Sequence, residues 1–152
     1  MIETRSAVVD ASVAVKWALL EEGREGALAL LGSYVAGDVQ LIAPRLLLEE
    51  AASAIAKRHL RKQLTTTQAH RAFEILRQRA PMLIDNGTLL NEAFQLSIRH
   101  QLSLWDCLYL ALAIQRRCDL VTADKRFHGV ASPHYPFVRL TPSYGSGKAS
   151  GR

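Results

Sequence analysis

Short apolar segments alternate with longer segments of helical periodicity along the 152-residue chain. The apolar segments are residues 7–9, 39–43, 81–84, 120–122 and 137–140. Strands that alternate with helices favour a parallel sheet, because each helix returns the chain to the edge where the previous strand began. The sequence therefore predicts one α/β domain over residues 1–140, with a short parallel sheet of four to five strands flanked by helices. Residues 141–152 are rich in Gly and Ser and are predicted to be a disordered tail.

Two of the predicted strands are closely followed by an aspartate. Asp10 comes directly after residues 7–9, and Asp124 comes two residues after the end of residues 120–122. Because ligands gather at the carboxyl ends of parallel strands, we expect these two side chains to be neighbours at one edge of the sheet. A turn or cap role for Asp10 is less favoured, because Ser12 is predicted to be the N-cap of the helix that follows.

A third acid lies at the start of the most apolar helix. Residues 108–114 are apolar on nearly every side, so this helix is expected to lie deep in the domain. Asp106 stands at its mouth and, with Ser103, fits a capping-box pattern. On this motif alone, a capping role and a functional role are about equally supported.

Two adjacent acids, Glu49 and Glu50, interrupt an aliphatic helix predicted from residue 45 to about residue 62. Consecutive helical residues point about 100° apart, so only one of the pair can face a shared pocket. Periodicity does not choose between them, because the segment is apolar around most of its circumference. The basic end of this helix, residues 57–62, is interpreted as a solvated helix end, since cations are favoured there, although phosphate contacts are the alternative.

Carboxylates that gather in one pocket require either protonation or a cation. Oxygen ligands without His or Cys select Mg²⁺, with Mn²⁺ as a substitute, over zinc. Such an ion suits the hydrolysis of a phosphodiester, because it activates water and stabilises charge on the phosphate. Serine-nucleophile and P-loop chemistries are disfavoured, since neither motif is present. Cys107 and Cys118 are too far apart for a CxxC zinc pair and are interpreted as core thiols.

Composition adds weaker constraints. The net charge of +5 and the pI near 9.6 point mildly to a polyanionic partner such as nucleic acid. No apolar stretch approaches the length of a membrane span, and Asp10 and Lys16 interrupt the apolar N-terminal run, which argues against a signal peptide. We therefore expect a cytoplasmic protein without membrane association.

Four motifs in order, spread over residues 8–127, resemble those of the PIN-domain ribonucleases, most closely the VapC toxins of type II toxin-antitoxin systems. The motifs are VVDASVAVKW, APRLLLEEAASAI, SLWDCLYLALA and LVTADKRF. Each motif is weak by itself, whereas the ordered set covers nearly the whole domain and is specific. The resemblance implies a PIN-like fold and a Mg²⁺-dependent endoribonuclease.

The resemblance also implies a set of site residues. Asp10, Glu50, Asp106 and Asp124 would be the catalytic, metal-binding acids. Glu50 is selected over Glu49 because VapC-like chains place the acid six residues after Pro and three before Asn. This chain has Ser53 at the Asn position, so a supporting hydrogen bond is expected to differ. Ser12 and Thr122 match supporting polar residues, expected to orient a carboxylate or a metal-bound water.

The partners follow from the resemblance alone. It implies a cognate VapB-type antitoxin whose C-terminal segment covers the active site, a homodimer, and structured RNA such as tRNA as the substrate. Two alternatives remain open: a non-catalytic PIN-like scaffold that binds RNA or protein, and a housekeeping nuclease of the same fold.

Overall fold

The computed structural model describes residues 4–141 and contains a five-stranded parallel sheet. The strands are β1 (Arg5–Val9), β2 (Val39–Pro44), β3 (Met82–Ile84), β4 (Asp119–Thr122) and β5 (Val138–Leu140). Their order in the sheet is β3-β2-β1-β4-β5, and every neighbouring pair is parallel. The predicted α/β class with a short parallel sheet is confirmed. Because β1 pairs with both β2 and β4, the strand order reverses between β1 and β4, which is where α/β sheets usually bind ligands.

Helices connect all the strands. They are α1 (Ala11–Ala18), α2 (Arg24–Val35), α3 (Leu46–Leu60), α4 (Thr66–Gln78), α5 (Leu90–His100), α6 (Leu104–Arg116) and α7 (Lys125–Ala131), and a 3₁₀ turn spans Asn86–Thr88. Residues 65–68 predict a capping signal for α4, and a complete capping box forms between Thr65 and Gln68. The short helix α7 was not predicted, because its seven residues carry too little apolar periodicity to be distinguished from a loop.

Helix α6 forms the centre of the core, as its apolar sequence predicts. All residues from Cys107 to Ala113 are buried, and the helix packs against β1, β2 and β4 as well as against α5. On α1, Trp17 is fully buried, and its indole N–H donates a 2.9 Å hydrogen bond to the carbonyl oxygen of Ala27. Asp106 is therefore attached to the helix at the centre of the core, and Asp10 directly precedes a helix that is anchored in it.

Two predicted helix caps are wrong. Asp10, not Ser12, is the N-cap of α1, because Asp10 has extended backbone angles and its carboxylate accepts a hydrogen bond from the Ser12 amide. The sequence also predicts Thr88 as the cap of a helix to about His100, but Thr88 does not cap α5, which begins at Leu90. The Thr88 hydroxyl instead donates to the carbonyl oxygen of Asp85 and belongs to the preceding turn.

The structure describes one residue of the predicted tail. Thr141, the first residue of the predicted tail, is buried, and its hydroxyl donates a 3.0 Å hydrogen bond to the Thr122 carbonyl. The rest of that tail lies outside the described residues, so the division at residue 140 stays a prediction. Within residues 4–141, no helix is both long enough and apolar enough to span a membrane.

Candidate active site

Asp10 lies at the carboxyl end of β1, beside the end of β4. Val9 pairs with Val121 in the sheet, and the Asp10 amide donates a 3.2 Å hydrogen bond to the Val121 carbonyl. The side chain is almost fully buried, with 6% of its surface exposed. Asp10 thus both caps α1 and presents a carboxylate at the reversal point of the sheet.

The Ser12 hydroxyl connects the ends of β1 and β4. It donates to Oδ1 of Asp10 and accepts a 2.9 Å hydrogen bond from the Ala123 amide. Its oxygen lies 3.4 Å from Oγ1 of Thr122, which in turn accepts from the Asp124 amide at 3.0 Å. The two predicted supporting residues therefore form one network that reaches the carboxylate of Asp10 and the backbone amide of Asp124.

Asp124 caps α7. Its Oδ1 atom accepts hydrogen bonds from the amides of Arg126 and Phe127, at 3.0 and 3.1 Å. An acid at a helix N-terminus is favoured by the helix dipole, so Asp124 has a structural role whatever else it does. Because both bonds use Oδ1, Asp124 is held in one orientation.

Glu50 and Glu49 take different environments on α3. Glu49 is exposed, whereas Glu50 is half-buried and accepts a 2.7 Å hydrogen bond from the Tyr109 hydroxyl. Of the two glutamates, Glu50 is therefore the one that contacts α6, and its assignment to the site stays a prediction. Tyr109 was missed by the sequence analysis, although a hydroxyl on an otherwise apolar buried helix, three residues after Asp106 and on the same face, is a usable signal.

Asp106 lies in the first turn of α6. Its amide donates a 3.1 Å hydrogen bond to the Ser103 hydroxyl, so half of the expected capping box forms. Within residues 4–141, the return bond from the Asp106 carboxylate to the Ser103 backbone does not form. The Asp106 carboxylate is therefore not held by the Ser103 backbone and can interact with the other acids.

The electrostatics show that these acids share one region. Burial raises the pKa of Asp10 to about 7. The charge of Asp106 also raises this pKa, whereas the hydrogen bonds from Ser12 and Thr122 lower it. Burial also raises the pKa of Glu50, and Asp106 again contributes. The pKa of Asp106 is raised by burial and by Asp124. Asp106 is thus the common neighbour of the other three acids.

The donor set suits a hard divalent cation, because it consists of carboxylates whose charged forms are disfavoured by burial and mutual repulsion. A cation at this position would relieve both effects. Within residues 4–141, however, no three His, Cys, Asp or Glu side chains stand in a metal-ligating arrangement. Side-chain rotation would be needed to bring the carboxylates onto one ion.

Comparison with known proteins identifies the family. The family model described as "PIN domain" matches residues 7–133. The chain belongs to the PIN-domain family. All four candidate acids fall inside the matched region. "Ribonuclease VapC1" of two Mycobacterium tuberculosis strains is 34% identical over 99 residues, which cover 62% of this chain and 68% of the relative. The resemblance to PIN-domain proteins of the VapC type is confirmed.

A solved structure supports the fold independently. The crystal structure of PAE2754 from Pyrobaculum aerophilum superposes with a TM-score of 0.70, covering 93% of this chain and 94% of the other. The two sequences are only 17% identical, so this similarity shows the fold alone. The arrangement of sheet and helices is therefore that of a known solved protein.

Proposed function

We propose that this PIN domain is a divalent-metal-dependent endoribonuclease, a VapC-type toxin. The observation that carries the proposal is the convergence of Asp10, Glu50, Asp106 and Asp124 at the carboxyl edge of the sheet, with Asp106 in electrostatic contact with the other three. A scaffold has no need to gather like charges in a partly buried region, because doing so costs folding free energy. The similarity to a protein named ribonuclease VapC1 supports RNA as the substrate.

Asp10, Glu50 and Asp106 would hold Mg²⁺ or Mn²⁺, with Asp124 binding directly or through water. When bound, the ion supplies an activated water and stabilises charge on the scissile phosphate. The chain's own residues orient the acids. Ser12 fixes Oδ1 of Asp10, and Tyr109 fixes Oε1 of Glu50. Binding requires all of these carboxyl groups to lose their protons, so the affinity for the ion falls as pH falls.

An apolar groove between α3 and α4 supports an antitoxin partner. A cavity of about 360 Å³ lies between α3 and α4 and is lined mainly by apolar side chains, among them Ile55, Ala69 and Phe73. Ala52, at one end of the groove, lies two residues after Glu50 on α3 and therefore about 200° around the helix from it. We propose that an amphipathic segment of a VapB-type antitoxin seats in this groove and that its C-terminal end continues around α3 to the acids.

An exposed apolar stripe on α5 supports a homodimer. Leu90, Phe94 and Ile98 follow one another at four-residue spacing, and each exposes about half of its surface or more. Contiguous apolar surface of this kind marks interaction sites.

We further propose that the protein acts in the cytoplasm and that its substrate is structured RNA such as tRNA.

The test is cleavage of total tRNA by the purified protein, followed on denaturing gels. We expect cleavage with Mg²⁺ or Mn²⁺ and none in EDTA, and a loss of at least a hundredfold in Asp10→Asn and Asp106→Asn. Circular dichroism would show that both variants remain folded. Undiminished cleavage by the folded variants, or in EDTA, would refute the metal mechanism.

The alternative is a PIN-like scaffold that binds RNA or protein without cutting. It is favoured by the lack of a metal-ligating arrangement among residues 4–141. RNA binding without cleavage at any Mg²⁺ or Mn²⁺ concentration would establish it.

A housekeeping nuclease of the same fold is the other alternative. Expression of a housekeeping nuclease would not arrest growth. Expression of a toxin would arrest growth, and the product of a neighbouring gene would relieve the arrest.

A further inference from the structure

Trp105 is an exposed aromatic residue beside the candidate site. The chain has two tryptophans; Trp17 is fully buried, whereas Trp105 exposes 54% of its surface. Trp105 directly precedes Asp106 in the first turn of α6, so their Cα atoms are about 3.8 Å apart. Consecutive helical residues point about 100° apart, so the exposed ring lies to one side of the Asp106 carboxylate, where it is available to contact an RNA chain that passes the acids.

Arg126 is a cation on the same rim. Its amide donates to Oδ1 of Asp124, and the charge of its side chain lowers the pKa of Asp106. The side chain is exposed, and within residues 4–141 it takes part in no ion pair. Its guanidinium therefore lies within electrostatic reach of Asp106 and keeps its hydrogen-bond donors available.

We propose that Trp105 and Arg126 form a nucleotide clamp, in which Trp105 stacks on an unpaired base and Arg126 binds the phosphate beside the cleavage point. The inference rests on the proposed ribonuclease function and adds the residues that hold the substrate. A phosphate that approaches four carboxylates is repelled, and Arg offsets this with a planar fork that matches phosphate geometry. Stacking on Trp105 requires a base that is not already in a helix, so the clamp selects single-stranded or loop RNA over duplex.

Fluorescence gives a direct readout, because Trp17 is shielded and Trp105 is not. The probe is a six-nucleotide oligoadenylate RNA, titrated in EDTA and again with Ca²⁺ in place of Mg²⁺, with gels to confirm that it stays intact. We expect it to quench the emission of the wild type. In Trp105→Phe, where only Trp17 emits, the quenching should disappear while the affinity stays within a few-fold, because Phe also stacks.

Two further measurements separate stacking from charge. Trp105→Leu should weaken binding of the oligoadenylate roughly tenfold, but should not weaken binding of an abasic oligomer with the same number of phosphates. The control Val35→Ala removes an exposed apolar side chain on α2 and should leave both affinities unchanged.

Arg126→Gln should weaken both oligomers alike and reduce the slope of log affinity against log salt by about 0.7. Arg126→Lys should recover part of the affinity, because it keeps the charge but loses the fork. The matched control is Arg116→Gln, at the far end of α6 and about 15 Å along the axis from Asp106. This control should change neither the affinity nor the slope.

Failure of the clamp is distinguishable from failure of the proposed function. If the wild type cuts tRNA but Trp105→Leu keeps its oligoadenylate affinity and its KM, the clamp is wrong and the nuclease remains. If the wild type cuts nothing, the function is wrong, and the titration still decides whether Trp105 stacks. Absence of quenching while the oligomer binds, or dissociation of a dimer in Trp105→Leu with unchanged affinity, would overturn the clamp.

Discussion

The Tyr109 hydroxyl donates a 2.7 Å hydrogen bond to Oε1 of Glu50 and so joins the central helix α6 to α3 at the candidate site. Burial and the nearby acids raise the pKa of Tyr109 well above its ordinary value, so the phenol keeps its proton and remains a donor. The same bond opposes the burial that raises the pKa of Glu50. Tyr109 therefore both orients this carboxylate and favours its charged form.

We predict that Tyr109→Phe lowers Mn²⁺ affinity by roughly three- to tenfold, since one hydrogen bond to a charged group is lost. Titration calorimetry of the purified protein measures this directly. Tyr135→Phe is the control, because Tyr135 contacts His100 and not the acids. Equal affinities in the wild type and Tyr109→Phe would show that the bond does not prepare Glu50 for a cation.

The adjacent glutamates provide a matched pair. Glu50→Gln should reduce RNA cleavage at least a hundredfold, because it removes a carboxylate that neighbours Asp106. Glu49→Gln makes the same chemical change one residue away on an exposed position and should stay within about twofold of the wild type. Initial cleavage rates at saturating Mg²⁺ measure both. Similar losses in both variants would contradict the assignment of Glu50 to the site.

Much of the fold follows from local sequence. The five apolar segments became the five strands, and the apolar helix near the C-terminus became the buried centre, because burial on all sides leaves little alternative. The convergence of Asp10 and Asp124 followed from parallel pairing alone. These features depend on patterns within a few residues and on one rule of sheet geometry.

The rest required tertiary contacts. Sheet order depends on which strands pair, and sequence spacing does not encode it. The capping of α1 by Asp10 could not be separated from capping by Ser12, because both residue types cap helices and only the backbone angle at Asp10 decides. The environment that distinguishes Glu50 from Glu49 is provided by Tyr109, which is 59 positions away in the sequence.

The pKa of Asp10 predicts how the metal-free stability depends on pH. The unfolded carboxyl group loses its proton near pH 3.8, whereas the folded one retains it up to about pH 7. The folded state binds more protons in this window. The stabilisation that comes from protonated Asp10 is therefore fully present below about pH 4 and is lost as pH rises toward 7. Asp10→Asn does not titrate and should become more stable than the wild type, by up to about 4 kcal/mol at pH 8.

Urea denaturation in EDTA at a series of pH values measures this difference, with Asp85→Asn as the control at an exposed turn acid. Saturating Mn²⁺ should reverse the order at pH 8, because it stabilises only the chain that retains the Asp10 charge. A stability difference that stays constant from pH 4 to pH 8 would show that Asp10 remains charged in the folded protein without a cation.

The apolar stripe on α5 predicts the behaviour of a dimer. Phe94→Glu places a charge at the centre of the stripe and should convert the protein to a monomer, because desolvating an unpaired charge in an interface is costly. Since Phe94 exposes 59% of its surface, the monomer should keep its fold and its circular dichroism. Sedimentation velocity measures the change, and Val35→Glu is the control at a more exposed apolar site on α2. Equal loss of association in both variants would point to a nonspecific effect of charge, whereas a monomeric wild type would remove the dimer from the proposal.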